Sequence, residues 1–303
     1  MDSPDRIAKR LTRIGAYAAA RAYSLYTQRR WRHPGTSITD TPRYRDFCAR
    51  AAQDKSFARF RADPICRLFI ENNNSDEGRY YLQAMLDGAP HYKNFLDKFR
   101  TNDKFGGGGA FVYGKNGRFA PTTLRYAKYL SDCERHFGAL DSRRVVEIGG
   151  GYGGLCKLFF DRFDLARYYL VDLPETLALA RRYLCATLGE ETVIGKIIFV
   201  NAKDNAALTR HLKMDFFDLA VSTLAFSECA REMQKTYIDF VFNKSTYGYL
   251  VMNALSGAFG IDSHSDAEVQ GRLFKTVEAE EDPGWWWDDR VTIWTWKPER
   301  IGL

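Results

Sequence analysis

VVEIGGGYGGLC, residues 145–156, runs apolar into Glu147 and Ile148 and then turns through five glycines in six positions. A short apolar run that breaks into glycine reads as a buried strand, a tight loop and the start of a helix. Four further runs of the same kind follow: RYYLVDL (167–173), GKIIFVN (195–201), FDLAVST (217–223) and YGYLVMN (247–253). Helical stretches separate them. Apolar strands alternating with helices specify a parallel sheet covered on both faces. The final run, RVTIWTWKP (290–298), arrives without an intervening helix and is expected to lie antiparallel, beside KTVEAE (275–280). The expectation for residues 119–303 is therefore an α/β, Rossmann-like sheet, mostly parallel with an antiparallel last strand.

In such a sheet a ligand sits beyond the carboxyl ends of the strands, at the switch point beside the first one. Two patterns overlap there. Gly149-x-Gly151-x-x-Gly154 matches a dinucleotide loop, whereas Glu147-x-Gly149-x-Gly151-x-Gly153 matches an acidic one. A pyrophosphate at a helix N-terminus is poorly matched to a carboxylate two residues before the first glycine. S-adenosylmethionine carries an ammonium and a sulfonium and no phosphate, so Glu147 favours it, with Gly149 and Gly151 allowing close backbone approach. Asp172 ends the second strand and can chelate both ribose hydroxyls, and Leu173 can pack on adenine. Asn201 or Asp204, after the third strand, is placed for the adenine amino group. Tyr126, Tyr152, Gly153 and Ser222 complete the expected cofactor set. Without a ligand, Glu147 reads as a strand-end carboxylate and Asp172 as a helix cap before Pro174.

Taken together, VVEIGGGYGGLCKLF and YYLVDLPETLALARRYL resemble a family of sugar O-methyltransferases with an EIGGGYGG loop and a following DLPE segment. TTLRYAKYLSDCERHFG, STLAFSECAREMQKTY and GYLVMN resemble its other motifs in the same order, over roughly residues 100–300. NDKFGGGGAF departs from the family's NDxxGxP. The resemblance implies a class I S-adenosylmethionine-dependent methyltransferase fold, a sugar or glycan acceptor, and S-adenosylhomocysteine as product.

Methylation of a hydroxyl needs an in-line acceptor and a base. Loops after the fourth and fifth strands offer Glu228 and His264 as bases, with Ser227, Asn253 and Asp262 nearby. Alternatively, Glu228 is a helix N-terminal carboxylate capped by Ser227, and His264 a solvated loop residue. Trp285 and Trp286, in EDPGWWWDD, could stack on sugar rings, with Asp288 and Asp289 beside them; otherwise they are core aromatics. No spaced ligand set marks a metal. A small secondary metabolite as acceptor, or a non-catalytic partner subunit of the same fold, are the competing readings.

The net charge of +6 is confined to residues 1–34, where eight Lys/Arg face Asp2 and Asp5. The remainder is balanced, which argues against a nucleic-acid-binding body. Ile7, Leu11, Ile14, Ala18, Ala22 and Leu25 form one stripe of a basic amphipathic helix. It reads either as a peripheral membrane contact or as a helix docked on this chain or a second copy. Residues 32–42 read as a linker, and 35–118 as a helical accessory region whose run Gly106–Gly109 is a loop, a nest or a lid. Six scattered cysteines and the lack of a signal-like start place the chain in the cytoplasm, or at the inner face of the membrane if the helix binds there.

Overall fold

The computed structural model describes residues 35–281 and 291–297. The basic segment 1–34 and the aromatic-acidic cluster Trp285, Trp286, Trp287, Asp288 and Asp289 lie outside the described residues.

A helical layer comes first: α1 (Pro42–Gln53), α2 (Pro64–Phe69), α3 (Ser75–Gly88) and α4 (Leu96–Arg100). Proline in the first turn opens α1 and α2, where a missing N–H costs nothing, and Thr41 and Asp63 accept from free backbone N–H groups. At α3 Asn74 accepts from the Glu77 N–H while the Glu77 carboxylate accepts from that of Asn74. A small hairpin, β1 (Phe111–Val112) with β2 (Arg118–Phe119), leads into α5 (Pro121–Phe137). Two-residue strands are too short to show alternation, so the sequence gives no sign of them.

The main sheet holds β3 (Arg144–Ile148), β4 (Arg167–Asp172), β5 (Ile197–Asn201), β6 (Phe217–Thr223), β7 (Ser245–Met252), β8 (Glu278–Glu281) and β9 (Thr292–Trp296). Their order is β5-β4-β3-β6-β7-β9-β8. β3 to β7 are parallel, and β9 runs antiparallel between β7 and β8. This is the expected Rossmann-like arrangement, with the last strand inserted rather than appended. The remaining helices are α6 (Gly154–Arg162), α7 (Pro174–Leu188), α8 (Glu190–Lys196), α9 (Asn205–Leu208), α10 (Arg231–Phe240) and α11 (Asp266–Gln270).

Alternation along the strands divides the core. Val145, Tyr168, Leu170, Leu219, Val221, Tyr249 and Ile293 face a cluster shared with α5, α6 and α7. Val146, Ile148, Val171, Val200, Ala220, Leu250 and Trp294 face a second one with α9, α10 and α11. Both faces are covered, so the strand sequences are apolar throughout instead of alternating. The first cluster continues without a break into Tyr44, Phe60, Tyr81, Met85 and Phe99 of the helical layer, with α1 packed on α7 and α3 on α5. The run Gly106–Gly109 lies against a buried side chain: a Cβ at Gly106 would stand 2.7 Å from Arg61 and one at Gly108 2.9 Å from it. All six cysteines are free thiols. Among the described residues no helix is long and apolar enough to cross a membrane.

At Gly248 in β7 a Cβ would fall 2.1 Å from the ring of Trp296 in β9. Gly248→Val should therefore destabilise the protein by about 3 kcal/mol through overpacking, with Gly248→Ala changing in the same direction by less. A lowered urea midpoint at unchanged slope checks this.

Candidate active site

From β3 the chain builds outward to β4 and β5, then returns to place β6 and β7 on the other side. Loops leaving β3 and β6 therefore diverge and open a crevice at the carboxyl ends of the strands. Glu147 lies in β3 opposite Leu170 and Val221. Beyond it Gly149, Gly151 and Gly153 take φ of +77°, +55° and +89°, a region open chiefly to glycine. Gly149 has a second constraint, because a Cβ there would be 2.0 Å from that of Ala225 in the loop after β6. Gly154 begins α6 where a Cβ would strike the rings of Tyr126 and Tyr152.

Two carboxylates flank this loop. Glu147 is buried and accepts from the Tyr168 hydroxyl at 2.7 Å; desolvation pushes its pKa up to about 7 despite that bond. Asp172, at the end of β4, accepts from the Gly151 N–H at 2.9 Å and the Leu173 N–H at 2.7 Å, and burial raises it to about 6. Its bond to Gly151 ties the glycine loop to the neighbouring strand. Of the residues the sequence reading gave to the cofactor, Glu147, Gly149, Gly151, Asp172, Leu173 and Tyr126 line the cleft.

Other side chains of that reading go elsewhere. Tyr152 turns away from the cleft into the helical layer, where it is fully buried. Its hydroxyl donates to Glu71 at 3.1 Å and its ring packs on Phe60 and Tyr183. Glu71 in turn holds the buried Arg61 at 2.6 Å, and Arg61 also bonds Asp103 at 2.8 Å and lies 5.3 Å from the centre of the Tyr152 ring. Tyr152 is thus the anchor of the loop rather than a ligand contact. Gly153 packs on Leu184 behind the loop. Asn201 caps its own turn by accepting from the Lys203 N–H, and Ala202 takes the cleft position. Asp204 caps α9. Ser222 is buried, donating to the Ile148 carbonyl and accepting from the Phe226 N–H, so it holds the β6 loop beside β3.

On the opposite wall, Glu228 and Asn253 reach the cleft together. Asn253 Nδ2 donates to Glu228 Oε1 at 2.8 Å, and burial pushes the Glu228 carboxyl up to about 7, against the pull of Asn253 and the nearby Arg125. Ser227 points inward, donating to the Leu224 carbonyl and accepting from the Asn253 N–H. It is not the cap of α10, whose first residues follow Ala230. His264 lies outside the cleft: its Nδ1 is 2.6 Å from Arg231 Nη1, and desolvation together with that arginine lowers its pKa. Asp262 pairs with the same arginine.

The sequence reading missed Arg125, Asn72 and Tyr44, which also line the cleft, and residues 36–39. The described part of the expected linker is a strap. Ser37 bridges Cys229, the Ile38 N–H donates to the Glu228 carbonyl, and the Ala230 N–H donates to that of Thr36. Asp40 accepts from the Thr36 N–H and pairs with Lys203, closing the strap over the edge of the crevice. Among the described residues no group of three or more His, Cys, Asp or Glu could hold a metal.

No family model matches the chain. It is 25% identical over 185 residues to indole glucosinolate O-methyltransferase 3 of Arabidopsis thaliana, an alignment that covers 56% of this chain and 48% of that one. The chain therefore spans about half the length of this curated relative. Among solved structures it is similar to the pyocyanin biosynthetic protein PhzM, at 14% identity and a TM-score of 0.42, covering 71% of this chain and 66% of that one. It is also similar to the methyltransferase domain of a bacterial Hen1, at 11% identity and a TM-score of 0.43, covering 57% and 97%. The strand order and the crevice carry the fold assignment on their own. The glycine-loop half of the cleft presents two carboxylates and an apolar leucine, a set that fits the ammonium, ribose and adenine of S-adenosylmethionine and opposes a pyrophosphate.

Because Arg61 is wholly buried, its two carboxylates cannot be removed lightly. Glu71→Leu should lower stability by about 3 kcal/mol, since it leaves a buried guanidinium short of a counter-charge and Tyr152 without its acceptor. Tyr152→Phe, which deletes one neutral donor, should lose about 1 kcal/mol. Urea unfolding of the two variants measures the ranking.

Proposed function

We propose that the protein is an S-adenosylmethionine-dependent O-methyltransferase whose acceptor is a hydroxyl of a sugar or glycan. The observation that carries the reading is Glu228: a carboxyl on the cleft wall, facing the half that fits the cofactor, with its pKa raised to about 7. A group poised there takes up a proton readily near neutral pH. Oxygen as the acceptor atom is supported by the name of the curated relative. The sugar rests on the family resemblance of the GGGYGG and DLPE segments, and on the polar character that Asn72, Arg125, Thr36 and Asn253 give the cleft.

In this reading Glu147 and the glycine backbone hold the amino-acid end of S-adenosylmethionine, Asp172 the ribose and Leu173 the adenine. When bound, that cofactor supplies a methyl group on a sulfonium, which leaves as a thioether. The chain's own task is to orient and deprotonate. Asn253 fixes the Glu228 carboxylate by donating to one oxygen, which leaves the other free for the acceptor O–H. An acceptor hydroxyl that takes the methyl would give its proton to that free oxygen. Leu255 N–H donates to Asn253 Oδ1 and fixes the amide's orientation in turn. The strap and the buried wall keep competing water away from the transfer.

Two measurements test this. Calorimetric titration of S-adenosylhomocysteine should show binding to the wild type, weakened about tenfold or more in Asp172→Ala, which loses charge-assisted hydrogen bonds and loosens Gly151. Binding of NADH in its place would overturn the cofactor. At saturating cofactor, turnover of a sugar acceptor should rise with pH through about 7 and level off above, since the carboxyl raised to that value acts as a base only when ionised. Glu228→Gln should lower turnover by about 10²–10⁴ and abolish the pH step while S-adenosylhomocysteine still binds. An unchanged profile would exclude Glu228 as the base.

A further inference from the structure

Two arginines are almost completely buried among the described residues, and the chain treats them differently. Arg61 has Glu71 and Asp103 in direct contact. Arg125, 5% exposed, bonds only neutral oxygens: Nη2 donates to the Ile70 carbonyl at 3.2 Å and Nη1 to Asn72 Oδ1 at 3.4 Å. Both bonds are long, and the buried Nε has no partner. A guanidinium is always charged and offers five donors in a planar fork. Burying one without an anion is unfavourable unless something else supplies the charge.

The place where an anion could arrive is defined. Arg125 lines the cleft, on the wall with Asn72 and within electrostatic reach of Glu228, whose carboxyl it holds lower than burial alone would. Glu228 is already hydrogen-bonded to Asn253 and makes no ion pair with the arginine.

We infer that Arg125, a buried guanidinium on the cleft wall with no anion in contact, binds the carboxylate of a ligand in this cleft. One source is the acceptor, which would make the sugar of the proposed reaction an acidic one, such as a uronic acid. The other source of the same chemistry is the amino-acid carboxylate of S-adenosylmethionine. Both rest on the methyltransferase reading above.

The test is calorimetric, on the full chain as wild type, Arg125→Lys and Arg125→Gln. One pair of probes is D-glucuronate and D-glucose, titrated in the presence of S-adenosylhomocysteine. A second pair is S-adenosylhomocysteine and its decarboxylated analogue, which keeps the ammonium. The expected result is that the wild type prefers glucuronate over glucose by about tenfold or more, and that Arg125→Gln erases the preference while Arg125→Lys retains part of it. If the preference lost in Arg125→Gln is instead that for S-adenosylhomocysteine over the analogue, the carboxylate site stands and belongs to the cofactor. A wild type without preference in either pair overturns the inference, as do variants that keep both preferences intact. If Arg125→Gln does not fold, the partial loss of preference in Arg125→Lys carries the comparison. S-adenosylhomocysteine failing to bind while glucuronate binds through Arg125 would sink the methyltransferase reading and leave the anion site standing.

Discussion

The buried cluster of Arg61, Glu71 and Asp103 sets the position of two of the segments that line the cleft. Glu71 accepts from Tyr152, and so fixes the one bulky residue of the glycine loop. Asp103 accepts from Arg61 and from Thr123, and its second oxygen accepts from the Ala120 N–H. These last bonds locate the first turn of α5, the helix that carries Arg125 and Tyr126 to the cleft. A single buried cation therefore aligns two chain segments that meet at the ligand site, the glycine loop and the start of α5. Its desolvation is tolerable because each carboxylate is itself bonded to further donors. The helical layer is in this sense part of the site's scaffold, and its apolar cluster is continuous with the sheet's.

Charge is arranged by region across the crevice. Glu147 and Asp172, both shifted upward by burial, flank the glycine loop, while Arg125 and the Asn253-bound Glu228 line the same cleft from other elements. A ligand with a cationic end and a hydroxylated or acidic partner beside it meets complementary groups at both. Three of these side chains sit on regular elements: β3 holds Glu147, β4 holds Asp172 and α5 holds Arg125, while Glu228 lies in the turn after β6. Precision follows, since rigid elements hold side chains more closely than loops do.

The five parallel strands were legible because a buried strand is an apolar run bounded by glycine or a helix start, and each run stands alone in the sequence. Glu147 and Asp172 were legible because their positions at strand ends fix where they point. Tyr152 was not. Between glycines at positive φ a side chain can leave a loop in either direction, and only the Arg61 cluster, built from residues about fifty to ninety positions upstream, decides which. Ser222 and Ser227 looked like ligand donors by type, yet short hydroxyls next to a turn more readily bond its backbone, as both do here. Arg125 was hidden for another reason. On a helix buried on nearly every side, a charge does not stand out as a polar face. The strap at 36–40 carries linker composition, but Asp40 folds it back on itself, which no periodicity reveals.

The insertion of β9 between β7 and β8 bears on how the sheet is completed during synthesis. Strands β3 to β7 emerge from the ribosome in an order that lets each find a neighbour already made, but the outer edge of β7 waits until roughly forty further residues have been added. In that interval the outward-facing N–H and C=O groups of β7 are unpaired, and the bare backbone at Gly248 has no indole ring over it. Closure by Trp294 and Trp296 is then a late, non-local event in the nascent chain, and the stage at which it is most exposed to pairing with another molecule.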